Sequence, residues 1–156
     1  MSDRLLDRLY KLRDEGSETL LHGDLWAINV FVIPGPNGPR ARLIDWDHAA
    51  VGPPSYDLST FLLRFPSEHR RWVLDLYREA VGEAGWHLPS ERDSNLLFET
   101  HEYVRFANRI IWPAIALVID SAGWGHEALA EIEQWFEQFE PVLPLIPAPA
   151  ELKAPA

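Results

Sequence analysis

The chain has no cysteine, so disulfide scaffolds, thiolate metal sites and cysteine nucleophiles are all excluded. Lysine is nearly as scarce, with only Lys11 and Lys153. Basic residues are short overall: 14 lysines and arginines stand against 24 aspartates and glutamates, a net charge of −10. Such a field repels polyanions and works against nucleic acids and anionic membrane surfaces, leaving small neutral or cationic molecules as the better-matched partners. Long apolar runs are missing too. The longest, Ile110 to Ile119, is broken by Pro113, and the first residues (MSDRLLDRLYKLRDEG) are charged from the third position. Neither reads as a membrane span or a secretion signal, so a cytoplasmic protein is expected.

What is present suits a folded domain: 156 residues, 47% hydrophobic and 24% charged. Leu5, Leu6, Leu9 and Leu12 recur at helical spacing and predict a short amphipathic helix ending near Gly16. Val30 to Ile33 reads as a buried strand. The Pro34–Pro39 run is turn chemistry, and residues 41–45 can return as the second strand of a hairpin. From Pro66 the pattern turns helical, with Trp72, Val73, Leu76, Tyr77, Ala80 and Val81 on one face. A second helix opens at Ser90 with Asp93 in capping spacing, and Pro113 should kink or split it. Its distal part, residues 114–119, is apolar all round and is expected to be buried. A last helix sets Leu129, Ile132, Phe136 and Phe139 against Glu127, Glu131, Glu133 and Glu137, and ends before Pro141. The seven tryptophans are expected mostly in the core or lining a pocket. A hairpin followed by helices is an α+β, mostly helical fold. Residues 1–140 form the expected domain, with 141–156 as a Pro/Ala-rich tail, extended or loosely docked.

The residues with chemical potential bracket the hairpin. Phosphoryl transfer requires a group that orients the acceptor hydroxyl and oxygen ligands that hold magnesium against the phosphates. In His22-Gly23-Asp24-Leu25-Trp26-Ala27-Ile28-Asn29, the step from Asp24 to Asn29 equals that of the H-R-D-x-x-x-x-N loop. Asp45 follows at the end of the second strand, beside that loop if the hairpin pairs. A carboxylate and an amide oxygen make a hard-oxygen site that suits magnesium rather than zinc. Asp47 and His48 fit a solvated turn. Trp26 either lines the acceptor site or wedges the loop against the helices. Glu99, His101, Glu102 and Tyr103 read first as a solvated helix face and second as acceptor contacts. Arg105 and Arg109 are expected to pair with acidic neighbours.

HGDxxxxN followed by LIDWDHAAVGPPSYDLSTFL resembles the signature of the aminoglycoside phosphotransferase and choline kinase-like family. The resemblance implies the C-terminal lobe of a protein-kinase-like fold, with Asp24 as catalytic base and Asn29 and Asp45 as ligands of Mg2+. His22 and Asp57 would brace the loop. It further implies ATP as phosphate donor, with GTP left open, and a small-molecule hydroxyl as acceptor; the acidic charge argues separately against nucleic acid or membrane as partner. The family's first lobe carries a glycine-rich loop and a strand lysine. Only 21 residues precede His22, and neither lysine is placed to serve. That N-terminal lobe is therefore expected to be absent from this sequence, with the chain either part of a longer kinase or a half-enzyme that needs a partner. Exposed apolar surface and homo-oligomer formation are expected to follow. The alternative is a catalytically silent, kinase-derived binding or assembly module. A metal-dependent phosphohydrolase is a third reading.

Overall fold

A computed structural model describes residues 18–144, together with Asp7. The opening helix expected over residues 5–12 and the tail beyond residue 144 lie outside the described residues.

Two small antiparallel sheets come first. Strand β1 (Thr19–Leu21) pairs with β4 (Ala50–Gly52), Leu20 lying opposite Val51. Strand β2 (Val30–Ile33) pairs with β3 (Arg40–Leu43) in the expected hairpin, Val30 opposite Leu43 and Ile33 opposite Arg40. The Pro/Gly turn between them closes with the Gly38 amide donating to the Gly35 carbonyl at 3.2 Å. The β1–β4 pair has no counterpart in the sequence reading. Three-residue strands carry too few side chains to display an alternation.

Among the described residues five helices follow: α1 (Ser55–Leu62), α2 (Ser67–Glu83), α3 (Glu91–Arg109), α4 (Ile111–Val118) and α5 (Trp124–Gln138). After the strands, helical structure begins at Ser55, eleven residues before Pro66. Pro53 and Pro54 start α1 because a helix's first turn has no use for the amide hydrogens that proline lacks. The capping expected at Ser90 is present: its hydroxyl accepts from the Asp93 amide at 3.3 Å and donates to the Asp93 carboxylate at 2.8 Å. The split expected near Pro113 falls at Ile110, between α3 and α4. Proline at 113 clashes with the carbonyl four residues back, at Arg109, where α3 ends.

Leu58 and Leu62 of α1, Leu74 of α2, Phe98 of α3, and Val142 and Leu143 form the core. Residues 141–144 are therefore not loosely attached. Asn95 accepts from the Leu143 amide at 2.9 Å, while Arg70 and Arg71 donate to the carbonyls of Val142 and Pro144. On α2 the buried face centres on Leu74, with Trp72 and Leu76 turned out. The helix holds more apolar residues than one stripe can bury, and contact with α1 selects among them. Helix α5 lies on α3 through aromatic stacking, Phe106 against Trp135 with ring centroids 3.5 Å apart.

Three expectations about burial fail. Helix α4 buries Pro113 and Ala116 against α5, but Val118 and Ile119 are more than 70% exposed. A single neighbouring helix covers one side only. Of the seven tryptophans, Trp46, Trp72, Trp86, Trp112 and Trp124 are all exposed. The strand expected to be buried, Val30–Ile33, is exposed at Phe31 and Val32, as are Leu20 and Val51 on the other sheet, because no further layer among the described residues covers these strands. Among the described residues no helix is long and apolar enough to cross a membrane.

Burial of Leu143 should stabilise the fold like any core leucine. Leu143→Ala is expected to lower the free energy of unfolding by about 2–5 kcal/mol, read from urea denaturation. An unchanged midpoint would show that residues 141–144 are detached in solution.

Candidate functional site

The loop from His22 to Asn29 leaves β1 and enters β2 through a single 3-10 turn, Ala27–Asn29. Asp57, in the first turn of α1, reaches across to its start. One carboxylate oxygen accepts from the His22 amide at 2.6 Å and the other from the Gly23 amide at 3.0 Å. Two successive backbone donors are thereby fixed by one charged group, and such charge-assisted bonds are the stronger kind.

Gly23 has φ +82°, and a Cβ there would run into the backbone carbonyl of His48. Only glycine offers both the left-handed conformation and the empty space. The turn at Asp47–His48 that closes over it is solvated, as expected. Gly52 is buried against Leu21, whose Cδ1 would lie 2.9 Å from an added Cβ. The β1–β4 pair can therefore close directly beneath the loop.

His22 is buried, and both its ring nitrogens are used. Nε2–H donates to the Ile44 carbonyl at 2.8 Å, and Nδ1 accepts from the Asp24 amide at 3.3 Å. Its ring also packs on Trp46, with centroids 4.7 Å apart. Asn29 is buried as well. Its side-chain nitrogen donates to the Asp24 carbonyl at 3.0 Å and approaches the Asp24 carboxylate at 3.5 Å. The loop thus brings Asp24 and Asn29 face to face.

Ile44 acts as a crossbar that sequence reasoning missed. Its amide donates to the Asn29 carbonyl at 3.1 Å while its carbonyl receives His22. Asp45 is the next residue, exposed and in the left-handed region at φ +64°. A non-glycine residue held there is strained, and such strain concentrates where a side chain must be aimed. Ile44 carries no signal of this role in its type, because both of its links are made by backbone.

Trp26 lies against the helices rather than free in the loop. The Arg64 guanidinium sits 3.8 Å from its ring centroid and that of Arg109 5.5 Å away. Arg109 also lies over Phe106 at 4.6 Å, so its described contacts are aromatic rather than the expected acidic pairing. Arg105 does pair with an acid, Glu102, at 3.3 Å.

The reading of residues 99–103 as a solvated face is corrected for two of them. Glu102 is 2% exposed, and His101 is half-buried against α1. Tyr103 stays exposed. Glu99 is half-buried, and burial raises its carboxyl above the usual range. The His101 ring contacts Tyr56 edge-on, and its Nε2 meets the Ser55 hydroxyl at 3.0 Å. Burial first, and the nearby Arg105 charge second, push the imidazole down to about 4 from 6.5.

Residues 1–93 match the family described as the phosphotransferase enzyme family (APH), a span that includes the loop, Asp45 and Asp57. No curated protein matches the chain.

The depressed His101 value sets a pH dependence. The unfolded chain takes up the proton near pH 6.5 and the folded chain only near 4, so stability is complete above 6.5 and declines as pH falls through that window. Between pH 7 and 5 the wild type should lose about 2 kcal/mol more unfolding free energy than His101→Gln. Parallel pH profiles from chemical denaturation would refute this.

Proposed function

This chain belongs to the phosphotransferase enzyme family, and from that premise we propose that it is the catalytic lobe of an ATP-dependent kinase acting on a hydroxyl of a small molecule. The observation that carries the reading is the approach of Asn29 to Asp24, at 3.0 Å and 3.5 Å, within a loop whose first two amides are held by Asp57.

Asp24 is the base. It orients the acceptor hydroxyl and takes its proton as the oxygen attacks the γ-phosphorus. The bond to the nucleoside diphosphate breaks, and the diphosphate leaves with the bonding pair. Asp24 needs no other proton donor or acceptor for this step.

The donor set fits magnesium: one carboxylate from Asp45 and one amide oxygen from Asn29, both hard. Asn29 commits its nitrogen to Asp24, which turns the amide oxygen to the other side of the group. Among the described residues no cluster of three or more His, Asp or Glu forms a metal cage. Magnesium commonly binds through one or two protein groups together with nucleotide phosphates. Magnesium, when bound with the nucleotide, neutralises charge developing on the phosphates.

His22 and Asp57 do not touch the reacting atoms. They hold the backbone on which Asp24 is mounted, and a displacement of about 1 Å in such a group can cost about 100-fold in rate.

Magnesium-dependent transfer of phosphate from ATP to a panel of hydroxyl acceptors tests the reading. Asp24→Asn should lower kcat by about 10²- to 10⁴-fold, with the circular dichroism spectrum unchanged. A folded chain that transfers nothing to any acceptor would favour a silent assembly module. Phosphate release from simple esters without nucleotide would favour a phosphohydrolase.

A further inference from the structure

Helix α1 has two working faces. Ser55, Tyr56, Ser59 and Thr60 all meet α3, whereas Asp57 meets the loop. At about 100° per residue, the four α3-facing positions span an arc of about 140°, and Asp57 lies about 60° beyond its edge. One face is therefore gripped while the other holds His22 and Gly23.

The grip is polar and converges on one atom. Glu102 Oε1 accepts from Ser59 Oγ at 2.7 Å, Thr60 Oγ1 at 3.2 Å and Arg105 at 3.3 Å. Arg105 also donates to the Tyr56 carbonyl at 2.9 Å and stacks its guanidinium 4.3 Å from the Tyr56 ring centroid. Every buried side-chain polar atom among the described residues has a partner.

Burying an ion pair is a poor route to stability, because desolvation offsets most of the attraction and a well-packed apolar pair would do as well. Directional contacts do something an apolar seam does not: they fix the rotation of one helix against its neighbour. The Asp57 carboxylate stands about 5–6 Å from the α1 axis, so turning the helix by about 10° displaces it by about 1 Å. Hydrogen bonds tolerate about half that range.

We infer that Glu102, with Arg105, is a positioning residue for the catalytic loop, setting the rotation of α1 so that Asp57 meets both the His22 and Gly23 amides. The inference rests on the phosphotransferase reading for its functional consequence but not for its structural one. Glu102 touches neither substrate nor reacting atoms. It acts through α1 and Asp57, across two helices.

The test is backbone amide exchange, followed by NMR on the full chain. Glu102→Gln keeps the size of the side chain and removes its charge, and Thr60→Val removes one donor at constant volume. Glu131→Gln, on the exposed face of α5, is the control. Glu102→Gln should speed exchange of the His22 and Gly23 amides by about tenfold or more relative to those of Leu74 and Phe98, a shift of about 1.4 kcal/mol. Thr60→Val should act in the same direction by a few-fold, and Glu131→Gln should do nothing. Unchanged protection at His22 and Gly23 in a folded Glu102→Gln chain overturns the inference. So does an equal loss at Leu74 and Phe98, which would mark a purely global effect. Should Glu102→Gln fail to fold, Thr60→Val decides by the same criterion. Selective loosening in a chain that transfers no phosphate would refute the phosphotransferase reading and leave the positioning role standing. With transfer present, Glu102→Gln should lower kcat about tenfold while leaving KM for ATP unchanged.

Discussion

The carboxylate of Asp57 accepts from two neighbouring backbone amides, His22 and Gly23, that lie 35 and 34 residues earlier in the chain. Each such bond to a charged group contributes about 1.5–3 kcal/mol, and only while donor and acceptor stay aligned. Everything around the pair serves that alignment. The β1–β4 strands bring the start of the loop to the start of α1, with Gly52 leaving room for Leu21. Gly23 supplies the backbone turn under His48 that points two successive amides the same way. The seam of α1 against α3 fixes where the carboxylate emerges.

From this anchor the order of the site propagates through the His22 and Asn29 side chains bonded to backbone groups. His22, once held, spans from the Asp24 amide to the Ile44 carbonyl. Ile44 in turn ties Asn29, and Asn29 ties Asp24. A closed circuit of hydrogen bonds therefore links Asp24, Asn29 and the residue preceding Asp45. Phosphoryl transfer asks little covalent chemistry of a protein and much positioning, and a circuit of this kind is what positioning requires.

How much was legible in advance follows from which residues carry their role in their type. Asp24, Asn29 and Asp45 were singled out by side-chain type and spacing, and Asp57 by the family resemblance alone; the structure joins Asp24, Asn29 and Asp57 to one loop. The β2–β3 hairpin and the Ser90 cap were equally plain, through turn residues and a capping hydroxyl. Helix α1 was not, because its sequence SYDLSTFL is short and was absorbed into the motif around Asp57. Glu102 was read as solvated because charge usually means surface. Arg105 one turn on, together with Ser59 and Thr60, 43 and 42 residues away, makes its burial tolerable, and no local pattern announces the two distant partners. Ile44 and the exposed face of α4 depend on tertiary neighbours in the same way.

The dependence of the loop on Asp57 can be read most directly from the amide resonances of His22 and Gly23 in the wild type and in Asp57→Asn. A neutral amide offers one acceptor oxygen where the carboxylate offers two. If Asp57 holds the loop, both amide protons move upfield in Asp57→Asn and shift more than any amide of α3, and at least one of them loses its protection from exchange. Resonances of His22 and Gly23 that stay in place, with protection intact, would contradict the claim that this carboxylate organises the site.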